Sequence, residues 1–190
     1  MKMNLPNKLT LLRVLMIPVF LAVLMGNFFD PQTARYAAVG IFVLAAFTDF
    51  LDGYIARKFK LVTNFGKYMD PLADKLLVCA ALVAMVAFED IHLPAWVAIL
   101  IISREFIITG FRTIAADRNI VLAAGFWGKL KTFTQMVMIV IILPSLDLTH
   151  ELRFYESLCK VLYIVASALT VISAVDYIYH NINVLKEGKE

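Results

Sequence analysis

Residues 48–75 read TDFLDGYIARKFKLVTNFGKYMDPLADK, and the four aspartates in this stretch govern the reading of the whole chain. Asp49 and Asp52 stand three apart, ahead of the cations Arg57, Lys58 and Lys60. Asp70 and Asp74 stand four apart. On helices, both spacings put the two residues on one face. The connecting segment is short, so the helices are expected to be antiparallel neighbours with both carboxylate pairs at one depth. Pro71 leaves two readings of the second helix. Either Asp70 caps it and Pro71 is its first residue, or Asn64 caps it earlier and Pro71 bends it.

The flanks of this stretch are apolar. Of the 190 residues, 61% are hydrophobic and only 17% charged, against roughly 25% charged in soluble domains. Mean hydropathy is +0.79. A soluble fold of this length cannot bury so much apolar surface, so lipid is the expected solvent. A span needs ~20 apolar residues. Six candidates run near 9–29, 35–57, 70–88, 94–117, 127–146 and 155–181. The expected fold is all-α: a polytopic membrane protein, a bundle of six transmembrane helices forming a single domain over 1–190. Asn4 to Thr10, with Pro6, is expected to form a short interfacial segment or a bent approach.

Lysine and arginine orient the bundle. Lys2, Lys8 and Arg13 lie at the start, Lys58, Lys60 and Lys67 in the second connection, and Arg118, Lys129 and Lys131 in the fourth. The alternate connections are poorer, with Arg35, none, and Arg153. Both termini and the aspartates are thus expected on the cytosolic side of the cell membrane. No signal-peptide cleavage pattern follows the first apolar segment, which is read as retained. A net charge of +3 without clustered cations argues against nucleic acid as a partner. Cys79 and Cys159 lack metal spacing and read as small buried apolar residues.

Carboxylates at membrane depth are costly, about 2.5–3.5 kcal/mol each for a central aspartate. Four together also repel one another unless protonated or neutralised by cations. Hard divalent ions take carboxylate oxygen, and Mg2+ keeps positions open for phosphate. Four carboxylates suit two ions, ~3.5–4 Å apart. The alternative is a set of lysine-paired carboxylates at a helix end. Gly53 and Ala56 share the Asp49/Asp52 face, which either opens a groove for a ligand or lets helices pack closely. Arg57 ends the helix as a phosphate fork or an interfacial anchor.

Asp49, Asp52, Gly53, Ala56, Arg57, Gly66, Asp70 and Asp74 fit D-x2-D-G-x2-A-R-x8-G-x3-D-x3-D without a departure. The pattern resembles the CDP-alcohol phosphotransferase family, as does the six-helix reading of the remainder. The resemblance implies Mg2+ or Mn2+ held by Asp49, Asp52, Asp70 and Asp74. It implies a CDP pocket of Asp52, Gly53, Ala56, Arg57 and Gly66, joined by Asn7 from the first segment. Asp74 would be the base that activates an acceptor hydroxyl, with CMP leaving. A homodimer in the bilayer is implied as well.

Other cations bear on the acceptor. Arg104 and Arg112 lie eight apart on the fourth helix, and Arg104 has Glu105 as a possible structural partner. With Lys75, Lys129 and Lys131 they would form a basic pocket for a phosphorylated acceptor. Asn4 to Arg13, Ser103 to Arg112 and Gly128 to Thr132 resemble bacterial family members that use glycerol 3-phosphate, although Phe111 stands where those carry a smaller aliphatic residue. The implied reaction joins CDP-diacylglycerol to sn-glycerol 3-phosphate, giving phosphatidylglycerophosphate and CMP. Rival readings are another acceptor (inositol phosphate, serine or phosphatidylglycerol), a prenyl-transferring enzyme, and a divalent-cation transporter. Denser DDxxD clusters would mark the second and inverted repeats the third, and neither is present. His92, His150 and His180 have no ligand spacing, and the tryptophans and tyrosines near span ends suit interfacial anchoring.

Overall fold

Asp30 and Pro31 show how the helices begin. The Asp30 carboxylate accepts the backbone N–H of Thr33 at 2.9 Å, and its carbonyl accepts that of Ala34 at 2.9 Å. One side chain thereby satisfies an orphan donor of the first turn. Pro31, with no N–H to satisfy, suits the first helical position. The hydrogen bonds from the Thr33 backbone and then its side chain hold the Asp30 carboxyl below the ordinary value of 3.8. A group with a depressed folded pKa stabilises above its unfolded value and loses that contribution as pH falls through the folded one. Asp30→Ala is therefore expected to fray this first turn at neutral pH. The difference from the unsubstituted chain should shrink as the pH drops below 3.8, which circular-dichroism melts at neutral and acid pH check.

The protein is described by a computed structural model covering residues 4–58, 64–88, 91, 93–117, 120, 122, 125–145 and 153–182. Among them are six helices and no strand: α1 (Leu5–Met25), α2 (Pro31–Lys58), α3 (Asn64–Ala87), α4 (Ala95–Asp117), α5 (Phe126–Ile142) and α6 (Arg153–Asn181). Each falls on one of the six apolar segments read from the sequence. The separate N-terminal segment does not form. Leu5 to Met25 is one helix, because Pro6 sits in the first turn, where its missing N–H costs nothing. Lys8 N–H already bonds the Asn4 carbonyl at 3.1 Å. The Pro71 alternatives resolve in favour of the earlier start, since α3 begins at Asn64 and carries Pro71 within it. At its far end α1 closes with Gly26 N–H on the Ala22 carbonyl at 2.9 Å. Asn27 then turns left-handed at φ 53°, a conformation asparagine tolerates better than most residues.

The chain forms two compact units, Met1–His92 with Val140–Glu151, and Leu93–Ile139 with Leu152–Glu190. In the first, α1 packs on α2 and α3, and α2 meets α3. Ala34, Ala38 and Ala45 line the buried stripe of α2, and such small residues let a neighbouring helix approach closely. Phe20 and Phe42 fill the space between α1 and α2, with ring centroids 6.4 Å apart. Ala73, Leu77, Ala81 and Met85 form the buried face of α3. In the second unit α4 packs on α6. Its core joins Ile108, Phe111 and Ala115 to Tyr177. Phe111 stands edge-on to Tyr177 at 5.9 Å and is a packing residue.

Among the described residues, two helical stretches are long and apolar enough to cross a bilayer: Asn7–Met25 and Phe154–Asn181. Their apolar windows are only 22% and 28% buried, unlike core helices of a soluble protein. Leu11, Leu15 and Val19 on α1, and Val161, Ile164, Val165 and Val175 on α6, lie exposed. Lipid is the environment that makes such surfaces stable.

Candidate active site

The aspartate site is built on unit one. Asp49 and Asp52 lie in the last turns of α2, and Asp70 and Asp74 in the first half of α3. Residues 59–63 join the two helices, which touch. The side chain of Asp49 is described. Those of Asp52, Gly53, Ala56, Arg57, Gly66, Asp70 and Asp74 lie outside the described residues.

Asp49 is held from α1. The Arg13 guanidinium, 0% exposed, places one terminal nitrogen 2.6 Å from Asp49 Oδ1. Its Nε donates to the Ala45 carbonyl at 3.3 Å, one turn earlier on α2. The Asp49 side chain stays 37% exposed, so the carboxylate is both anchored and open to the surroundings.

Arg13 to Phe20 is seven residues along α1, and Asp49 to Phe42 is seven back along α2, so the two helices run antiparallel. The same register brings Thr10 level with Asp52, and Asn7 level with Ile55 and Ala56. Both side chains are buried, Thr10 at 1% exposure and Asn7 at 8%. The inward stripe of α1 is thus polar at Asn7, Thr10 and Arg13, then apolar at Phe20 and Leu24. Burying polar groups costs free energy unless they are hydrogen-bonded. Their concentration at the end of α1 level with the aspartates suits a polar site there. Asn7, expected to touch the nucleotide, falls in this stripe. Thr10 and Arg13 were not assigned from sequence, although their 7-10-13 spacing on a helix was visible.

The residue chemistry fits a hard divalent cation. The donors are carboxylates on two adjoining helices, and the described one is 37% exposed. Among the described residues, which include only Asp49 of the four aspartates, no three His, Cys, Asp or Glu side chains converge.

The basic residues Arg104, Arg112, Lys129 and Lys131 belong to unit two. Glu105 Oε1 pairs with the Lys131 ammonium and lies 3.3 Å from an Arg104 terminal nitrogen. Lys131 is 2% exposed. The Arg104–Glu105 pairing considered from sequence is therefore present, and Lys131 joins it. Arg112 Nε donates to the Tyr177 hydroxyl at 3.0 Å, and Lys129 is exposed. A polar seam continues between α5 and α6, where Gln135 donates to Thr170 Oγ1 at 3.1 Å. Lys75, of unit one, is partly buried on α3 beside Asp74. His180 sits on the surface, its Nδ1 2.8 Å from the Asp176 carbonyl. His92 and His150 lie outside the described residues.

The family model for CDP-alcohol phosphatidyltransferase matches residues 3–175. The chain belongs to this family. A Bacillus subtilis CDP-diacylglycerol–glycerol-3-phosphate 3-phosphatidyltransferase is 42% identical over 96% of this chain and 97% of its own length. A Mycobacterium tuberculosis protein named as a probable phosphatidylglycerophosphate synthase is 42% identical, over 92% of this chain and 80% of its own. A Haemophilus influenzae 3-phosphatidyltransferase is 36% identical, over 94% and 93%. The family match takes in α1 to α5 and most of α6.

Proposed function

We propose that this CDP-alcohol phosphatidyltransferase moves the phosphatidyl group of CDP-diacylglycerol to sn-glycerol 3-phosphate, giving phosphatidylglycerophosphate and CMP. The near full-length similarity to the Bacillus subtilis 3-phosphatidyltransferase carries this reading. The unbroken aspartate signature on two touching helices supports it. The whole chain is one functional domain of six spans with both termini and the site in the cytosol, working as a homodimer in the cell membrane. The match from residue 3 to 175, across both compact units, supports the single domain.

Asp49, Asp52, Asp70 and Asp74 would hold Mg2+ or Mn2+, as a pair of ions. The cations would neutralise the pyrophosphate of the donor and polarise it. Asn7, Gly53, Ala56, Arg57 and Gly66 bind the CDP portion, the small residues leaving room for it and Arg57 taking phosphate oxygen. Asp74 accepts the proton of the acceptor hydroxyl. The freed oxygen forms a bond to the lipid-side phosphorus while the bond from that phosphorus to the CMP oxygen breaks. CMP departs with the electron pair. The chain's contribution is position and charge, which is what phosphoryl transfer demands.

From the sequence alone, the acceptor's own phosphate is assigned to the cations Lys75, Arg104, Arg112, Lys129 and Lys131. This cationic set suits glycerol 3-phosphate and disfavours serine. Purified protein in detergent with CDP-diacylglycerol and Mg2+ is expected to release CMP with glycerol 3-phosphate, and not with serine, inositol 1-phosphate or phosphatidylglycerol. Turnover with a different acceptor would overturn the acceptor and keep the family chemistry.

A further inference from the structure

Arg13 is the largest fully buried side chain of the described structure, and nothing in the transfer reaction so far uses it. A guanidinium is an expensive group to bury, and the cost is repaid only by excellent geometry with a fixed partner. Here the geometry is specific. Nε is engaged by the Ala45 carbonyl, and a terminal nitrogen reaches Asp49 Oδ1. The two partners lie one turn apart on the same helix, so one guanidinium meets backbone and carboxylate of α2 at once, the first by a hydrogen bond and the second by an ion pair. Lysine, a point charge on a flexible stem, cannot hold both in one plane.

We infer that Arg13 is a positioning residue for the proposed cation site. It fixes the Asp49 rotamer through one carboxylate oxygen, which places the half-exposed carboxylate for the cation. The inference rests on the proposed reading of Asp49 as a metal ligand. Arg13 is assigned no contact with the reacting phosphorus and acts through Asp49. Hydrogen-bonded outer partners of metal-ligating carboxylates orient them, and losing such a partner costs roughly 10–100-fold in metal affinity or activity. Because α1 carries Arg13 together with Asn7 and Thr10, the first helix becomes the third wall of the site rather than only a membrane anchor.

The test is Mn2+ binding by purified protein in detergent, read from the electron paramagnetic resonance signal of free Mn2+, for the unsubstituted chain, Arg13→Lys and Arg13→Gln. Thermal midpoints are recorded alongside. Arg13→Gln is expected to raise the half-saturating Mn2+ concentration about tenfold or more. Arg13→Lys, which keeps the charge and loses the fork, should raise it by a smaller factor. If Arg13→Gln does not fold, the Lys variant decides. Unchanged Mn2+ binding by the folded variants, with only the thermal midpoint lowered, would make Arg13 a packing residue and overturn the inference. Absence of Mn2+ binding by the unsubstituted chain would overturn the metal site itself, and the role of Arg13 with it.

Discussion

Asp74→Asn is expected to abolish CMP release while binding of CDP-diacylglycerol stays measurable. Asparagine keeps the size and hydrogen-bonding shape of aspartate and removes its capacity to take a proton. Loss of a positioned general base costs about 10²–10⁴-fold. In this chain the loss should reach the upper end of that range, because the same carboxylate is proposed to help hold the cations. The other aspartates leave most of the donor's charge neutralisation in place, so the effect should fall on turnover. Single-turnover CMP release and equilibrium donor binding, measured on the same preparation, separate the two. Near-normal turnover by the variant would remove Asp74 from the role of base. A loss confined to donor binding would leave it as a ligand only.

Glu105→Leu should produce the largest loss of stability from a single change. Glu105 is the carboxylate that meets both Lys131 and Arg104. Lys131 is almost wholly enclosed. Removing one partner of a buried ion pair costs about 3–5 kcal/mol, since the remaining charge is left in a low-dielectric surround. The leucine variant would leave two cations so placed. For a chain of ordinary marginal stability, such a loss is a large share of the total. The double variant Glu105→Leu with Lys131→Met removes the stranded ammonium and should recover much of the deficit. Thermal midpoints in detergent report both. A single variant as stable as the unsubstituted chain would show that water or lipid headgroups screen the cluster.

Glu105 also shows why part of the candidate site was hard to read. From sequence it was a possible partner of Arg104 and nothing more. Lys131 lies 26 positions away, and no local pattern links the two. Phe111 is a similar case: the reason for its size, the Tyr177 ring 66 positions later, exists only in three dimensions. By contrast the aspartates were legible because their chemistry is local. Spacings of three and four on helices, glycine and alanine on the same face, and a short connection are written within 26 residues.

The sequence by itself determined the solvent, the helical class, six apolar segments and the aspartate signature with its family. Composition and short-range periodicity control these, and they survive without knowledge of any long-range contact. The capped start of α2 at Asp30 and Pro31 came from the structure, which begins the helix ahead of the apolar segment near 35–57. The tertiary structure decided that Leu5 to Met25 is one helix. It decided the antiparallel register of α1 on α2, which turns Arg13 from a loop-side charge into the anchor of Asp49. It also decided that Lys131 and Arg104 share a carboxylate. Each of these depends on which faces meet across distant segments, and burial makes such meetings energetically decisive only once the helices have packed.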